Sequence, residues 1–187
     1  MKKLSVFVLL ITLIATMVGC STNEASAGES SSSGATGEIK MGRVNYAAHG
    51  DKSFAVAVVA MDGDTIVGAS IDEFQFLDKS EAGVVPVPNS DGAFSEGYAD
   101  ANNPLASKVD STEYYSKHMA EAAGATNTIE DNYAAIEKYV TGKTIKDIEE
   151  VLADHSPEEM VDVVSGATLA DTYGYVKTFI EAAKATK

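Results

Sequence analysis

Few side chains in this sequence have the type and setting for chemistry, and the most suggestive is a threonine hydroxyl. The triplet Gly-Ala-Thr occurs three times, at 34–36, 124–126 and 166–168. The first copy lies in a Ser/Gly-rich stretch with no apolar run behind it, so nothing holds it in a fixed geometry. The second follows a helical pattern, where Gly124 reads as an ordinary helix stop. The third lies between a β-branched apolar step, 161–164, and a long amphipathic pattern, which predicts strand, glycine turn and helix N-terminus. Unpaired N–H groups and the positive end of the helix dipole favour a phosphate there. Thr168-Leu-Ala-Asp171 also reads as a capping box, which would give Thr168 a purely structural task. The histidines, His49, His118 and His155, have no metal-site or triad spacing and read as surface or loop residues. The sequence predicts no metal site and no catalytic base or nucleophile.

The single cysteine, Cys20, closes the segment MKKLSVFVLLITLIATMVGC. Two lysines, a short uncharged apolar run and Gly-Cys predict a lipoprotein signal over 1–20, with Cys20 lipidated and the product anchored outside the cytoplasmic membrane. Residues 21–36 are polar and small and predict a flexible tether. Neither a disulfide framework nor a thiolate metal site is available to the rest of the chain. About 150 residues remain from position 37, enough for one domain. The full sequence has 14 basic and 28 acidic residues, a formal charge of −14; removing Lys2 and Lys3 with the signal leaves 12 basic residues and −16. Such a surface repels nucleic acid and anionic headgroups, so membrane attachment rests on lipid.

The elements that position these residues predict an α+β class: one compact domain with an antiparallel hairpin or small sheet packed against several helices. Apolar runs at 53–61 and 65–76, split by Asp62-Gly63-Asp64, predict the hairpin, with a bulge near Gly68. From 78 to 104 the chain reads as a long loop, and 86–98 is a candidate ligand-contacting cleft. Helices are predicted at 112–123, capped by Ser111, at 128–140 and at 144–153. Capping boxes begin at Thr128 and Thr144. A last helix over 169–184 places Leu169, Tyr173, Val176, Ile180 and Ala183 on one stripe.

Asp162-Val-Val-Ser165-Gly166-Ala167-Thr168 resembles the Asp-x-x-Ser/Thr-Gly-Ala-Ser/Thr signature of the FMN-binding domain family, found in subunits of Rnf-type and sodium-pumping NADH:quinone reductases and in flavinylated lipoproteins. The resemblance extends loosely to the lipobox, the tether, the hairpin and Gly142-Lys-Thr144. It implies that residues 37–187 form an FMN-binding domain. It also implies that an FMN transferase, with FAD as donor, joins the phosphate of FMN to Thr168, while Asp162, Ser165, Gly166 and Ala167 shape the turn. Many relatives carry small hydroxyl residues after the acceptor; this chain has Ala170 and Asp171. Tyr173 and Tyr175 are candidates to flank the flavin ring. The implied role is an electron carrier between a membrane quinol- or NADH-oxidising donor and an external acceptor, the isoalloxazine doing the chemistry. The alternative is a non-flavinylated lipoprotein of the same fold that binds a ligand or partner. A reductase holding FMN reversibly has less support, because no Gly-x-Gly-x-x-Gly fingerprint is present.

Overall fold

The computed structural model describes residues 37–50, 52–87, 100 and 102–186. The signal (1–20) with Cys20, the tether (21–36), the first Gly-Ala-Thr copy and most of the stretch 86–98 lie outside the described residues.

Four strands, β1 (Ile39–Tyr46), β2 (Ser53–Asp62), β3 (Thr65–Phe76) and β4 (Leu105–Ser107), form an antiparallel meander in sequence order. The β2–β3 hairpin matches the sequence reading to within a residue, and its tight turn has Gly63 at φ +57°. Ala60 pairs with Gly68 but Met61 pairs with Ile66, so Val67 is an extra residue on β3. Ile66 and Ile71, an odd number of residues apart, therefore both face the core, and Glu73 follows Ile71 inward.

Among the described residues five helices, α1 (Thr112–Ala123), α2 (Ile129–Val140), α3 (Ile145–Asp154), α4 (Met160–Val163) and α5 (Thr172–Lys184), complete the α+β domain. The stripe of α5, Val176, Phe179, Ile180 and Ala183, packs on β1 and β2, while Ile136 and Val140 bring α2 onto β3. Full burial of a residue of this kind contributes about 1.5–3 kcal/mol. The α5 approach is close enough to need glycine on both sides. A Cβ on Gly42 would lie 2.0 Å from the Ala182 carbonyl oxygen, and one on Gly174 would lie 1.8 Å from that of Ala48.

Helix starts follow their caps unevenly. Thr144 and Asp147 form a complete capping box at α3, and the Thr128 hydroxyl accepts from Asp131 N at α2. Ser111 makes no side-chain cap at α1; its hydroxyl instead accepts from Val85 N at 3.1 Å and holds the 80s loop. The expected strand at 161–164 is the short helix α4. Ser156-Pro157 opens a turn in which Glu159 Oε2 accepts from Ser156 N and Glu159 N donates to Ser156 O, and this local bonding overrides the β-branched preference. The last helix starts at Thr172, not at 169, because the chain before it is held elsewhere.

Candidate functional site

The motif residues occupy the path from α4 to α5. Asp162 lies on α4, exposed; Ser165 and Gly166 form an exposed turn; Ala167 is buried; Thr168 is half-buried. Gly166 has φ +93°, a conformation costly for any residue with a Cβ, and a Cβ there would also press on Ala135 at 3.2 Å. The motif is thus one continuous turn around a required glycine.

Thr168 caps no helix. Asp171 occupies the N-cap position of α5 without a side-chain cap bond, and Thr172 Oγ1 donates to Leu169 O at 2.6 Å to close the preceding turn. Two asparagines hold Thr168 instead. Its N–H donates to Asn132 Oδ1 at 2.5 Å, its hydroxyl donates to the same oxygen at 3.3 Å, and Asn127 N donates to the hydroxyl at 3.2 Å. The Asn127 carboxamide donates to Gly166 O at 2.7 Å. Asn132 is fully buried on α2 and is itself fixed, donating to Asn127 O and Thr128 O. The second Gly-Ala-Thr copy ends α1, with Gly124 left-handed at φ +67°, and leads directly to Asn127. The second copy therefore positions the third.

Among the described residues, the one donor to Thr168 Oγ1, Asn127 N, and the acceptor Asn132 Oδ1 would be compatible with a phosphoester there. Esterification removes the weak 3.3 Å hydroxyl bond, while the Thr168 N–H keeps Asn132 satisfied and the ester oxygen can still accept from Asn127 N. Of the two tyrosines that were candidates to flank a flavin ring, burial removes Tyr175. Tyr175 is buried in the core, and half-buried Tyr173 donates to Leu152 O at 3.3 Å against α3.

A second constellation escaped the sequence reading. Glu73 on β3 and Lys108, just after β4, are both fully buried and form an ion pair. Glu73 Oε2 also accepts from Tyr175 OH at 2.6 Å and lies 3.1 Å from His49 Nε2, while Oε1 accepts from Ser53 at 2.9 Å. Lys108 Nζ lies 2.7 Å from His49 Nε2 and 4.3 Å from the centre of the Tyr115 ring. Burial works to raise the Glu73 carboxyl, but the hydrogen bond to His49, the charge and hydrogen bond of Lys108 and the Tyr175 hydroxyl together hold it at about 2. Burial pushes the Lys108 ammonium below its ordinary value, and the Glu73 charge only partly offsets this. Burial, then the Glu73 charge, drives Tyr133 well up. His49 Nε2 lies within hydrogen-bond distance of both Lys108 Nζ and Glu73 Oε2, and its Nδ1 faces Asp171 Oδ2 at 3.8 Å. Through Asp171, three residues after Thr168, the motif loop adjoins this cluster. The only local signal was Glu73 standing in the inward register after Ile71. Its partner lies 35 residues away, beyond any sequence periodicity.

His49 sits in the β1–β2 loop, as a loop histidine was expected to; His118 is on α1 and His155 at the C-cap of α3. Among the described residues no group of histidine, cysteine and acidic side chains could hold a metal ion, and no helix is long and apolar enough to cross a membrane. Compared with family models, curated proteins and solved structures, the chain matches none.

Proposed function

We propose that this chain is a lipid-anchored extracytoplasmic flavoprotein whose FMN is esterified to Thr168 and which moves electrons between a membrane quinol- or NADH-oxidising donor and an external acceptor. The observation carrying this reading is that the Thr168 hydroxyl is committed to no helix cap and can lose its proton at the cost of one weak hydrogen bond. Attachment by an FMN transferase joins Thr168 Oγ1 to the FMN phosphorus, breaks the pyrophosphate of FAD and releases AMP and the hydroxyl proton. When bound, the isoalloxazine supplies one- and two-electron chemistry. Asn132 fixes the Thr168 backbone, Asn127 offers its N–H to the ester oxygen, and exposed Ser165 and Gly166 present the turn to the modifying enzyme. Cys20 anchors the chain, and the tether of 21–36 keeps the carrier at high effective concentration near a membrane donor.

The test is co-expression of the full chain with an FMN transferase and its export, followed by intact mass and in-gel flavin fluorescence after denaturation. The unaltered chain and Thr168→Ser carry one FMN, Thr126→Ala is unaffected, and Thr168→Ala carries none. An unmodified native chain, or an adduct that persists in Thr168→Ala, overturns the reading.

A further inference from the structure

The Glu73–Lys108 pair needs a reason beyond folding. Desolvating two charges offsets most of their attraction, so a buried pair is weak evidence for stability, whereas perturbed groups beside a cleft point to a site. Of the three charged or titratable side chains at its centre, His49 alone reaches solvent, its side chain 28% exposed against 0% for Glu73 and 1% for Lys108. His49 lines a cavity of about 470 Å³ between the β1–β2 loop and α1, together with Lys52, Gln75, Tyr114, Tyr115 and His118. That volume suits a small molecule.

The lining is one-sided in its chemistry. Among the described residues, none that lines it is acidic, in a chain with 28 acidic residues. The carboxamide oxygen of Gln75 accepts from Tyr115 OH at 2.7 Å, which leaves its NH2 group to donate. Among the described residues, Lys52 and the Tyr114 hydroxyl have no hydrogen-bond or ion-pair partner. The Tyr114 and His118 rings lie parallel, 5° apart in plane, and His118 meets Tyr115 edge-on, so the cavity has an aromatic wall. A separate groove that shares Tyr114 and His118 is lined by Glu81, Glu113 and Glu121, together with Lys117.

We propose that this cavity reversibly binds a small planar aromatic anion, its carboxylate received by Lys52 and Gln75 and its ring by Tyr114, Tyr115 and His118. Unpartnered donors recognise an acceptor-only group, and charge-assisted bonds to a carboxylate are about twice as strong as neutral ones. Lys108 acts as a positioning residue, holding the His49 imidazole by its Nε2 so that the ring is fixed at the cavity edge. The inference stands apart from the Thr168 reading, because it concerns an exchangeable ligand that the bare chain binds.

The experiment titrates the full chain, made without transferase, with 2-naphthoate and with the neutral isostere 2-naphthamide at pH 7, by calorimetry and ligand fluorescence. Naphthoate binds at least about tenfold more tightly than the amide, a gap of about 1.4 kcal/mol. Lys52→Ala and His118→Ala each weaken naphthoate severalfold with unchanged circular dichroism, and Lys52→Arg restores most of the affinity. Equal affinity for acid and amide, absence of saturable binding, or indifference to both alanine variants overturns the proposal. The same titration on flavinylated protein separates the two readings. Binding that persists supports an exchangeable ligand; binding abolished by flavinylation assigns the cavity to the protein's own cofactor and overturns it.

Discussion

Replacing Glu73 with glutamine tests the buried charge cluster directly. The carboxyl falls from an ordinary 4.5 to about 2 in the folded protein. At about 1.36 kcal/mol for each unit, ionised Glu73 contributes about 3 kcal/mol to folding at neutral pH. The variant also leaves the Lys108 ammonium buried without a counter-charge, and breaking a buried pair costs about 3–5 kcal/mol. The two routes agree, and the loss is a large part of the about 5–15 kcal/mol expected of a domain. Urea unfolding followed by circular dichroism reads this as a midpoint lowered by about 1–3 M at unchanged slope. The double variant Glu73→Gln/Lys108→Met costs less than the sum of the single changes, because each single change strands a charge that the double removes. The pH dependence has a fixed sign. A carboxyl with a depressed folded pKa stabilises fully above about 4.5 and loses that contribution as pH falls toward 2, so the gap between native protein and variant closes across that window. A Glu73→Gln cost under about 1 kcal/mol, or a gap that stays constant in acid, refutes the reasoning.

Two further changes test the packing and the caps. Gly174→Ala drives a methyl group into the Ala48 carbonyl, where the gap is 1.8 Å, and either unseats α5 from the β1–β2 loop or costs more than about 3 kcal/mol in chemical denaturation. Thr144→Ala removes the hydroxyl half of the α3 capping box, leaves the backbone N–H of residue 144 to donate to Asp147, and costs about 1 kcal/mol, read as a melting temperature lower by about 2–5 °C with the fold unchanged.

What could be read from the sequence follows the range of the physics involved. The β2–β3 hairpin, its bulge and the two threonine caps depend on contacts within a few residues, and the sequence located them. Strand β1 was missed because its inward face is carried by Gly42, buried where α5 approaches, and by Val44 and Tyr46, which are only half-buried, too weak an alternation to read. Strand β4, with three residues, is too short to show a period. The start of α5 was misplaced for a related reason. The local pattern at Thr168 to Asp171 is a sound capping box, yet Asn127 and Asn132, 41 and 36 residues away from Thr168, take its polar groups first. The chemistry-bearing cluster was the least legible part, since Glu73, Lys108, His49 and Tyr175 meet only in three dimensions.

The manner in which Thr168 is held bears on why a covalent link would suit the proposed carrier. A nucleotide held reversibly needs a cationic or helix-end cradle for its phosphate. Every group that touches Thr168 is a neutral amide, and the chain's sole arginine, Arg43, is on β1, bonded to Asn45 at 3.2 Å. On a surface that is already strongly acidic, a free phosphate would be retained poorly by such donors. A phosphoester supplies retention that electrostatics does not, and then asks of the protein only that the oxygen be presented at a fixed point. The Asn127–Asn132 clamp and the left-handed Gly166 meet that requirement. They also make the second Gly-Ala-Thr copy part of the site, as the turn that delivers Asn127, and not a chance repeat.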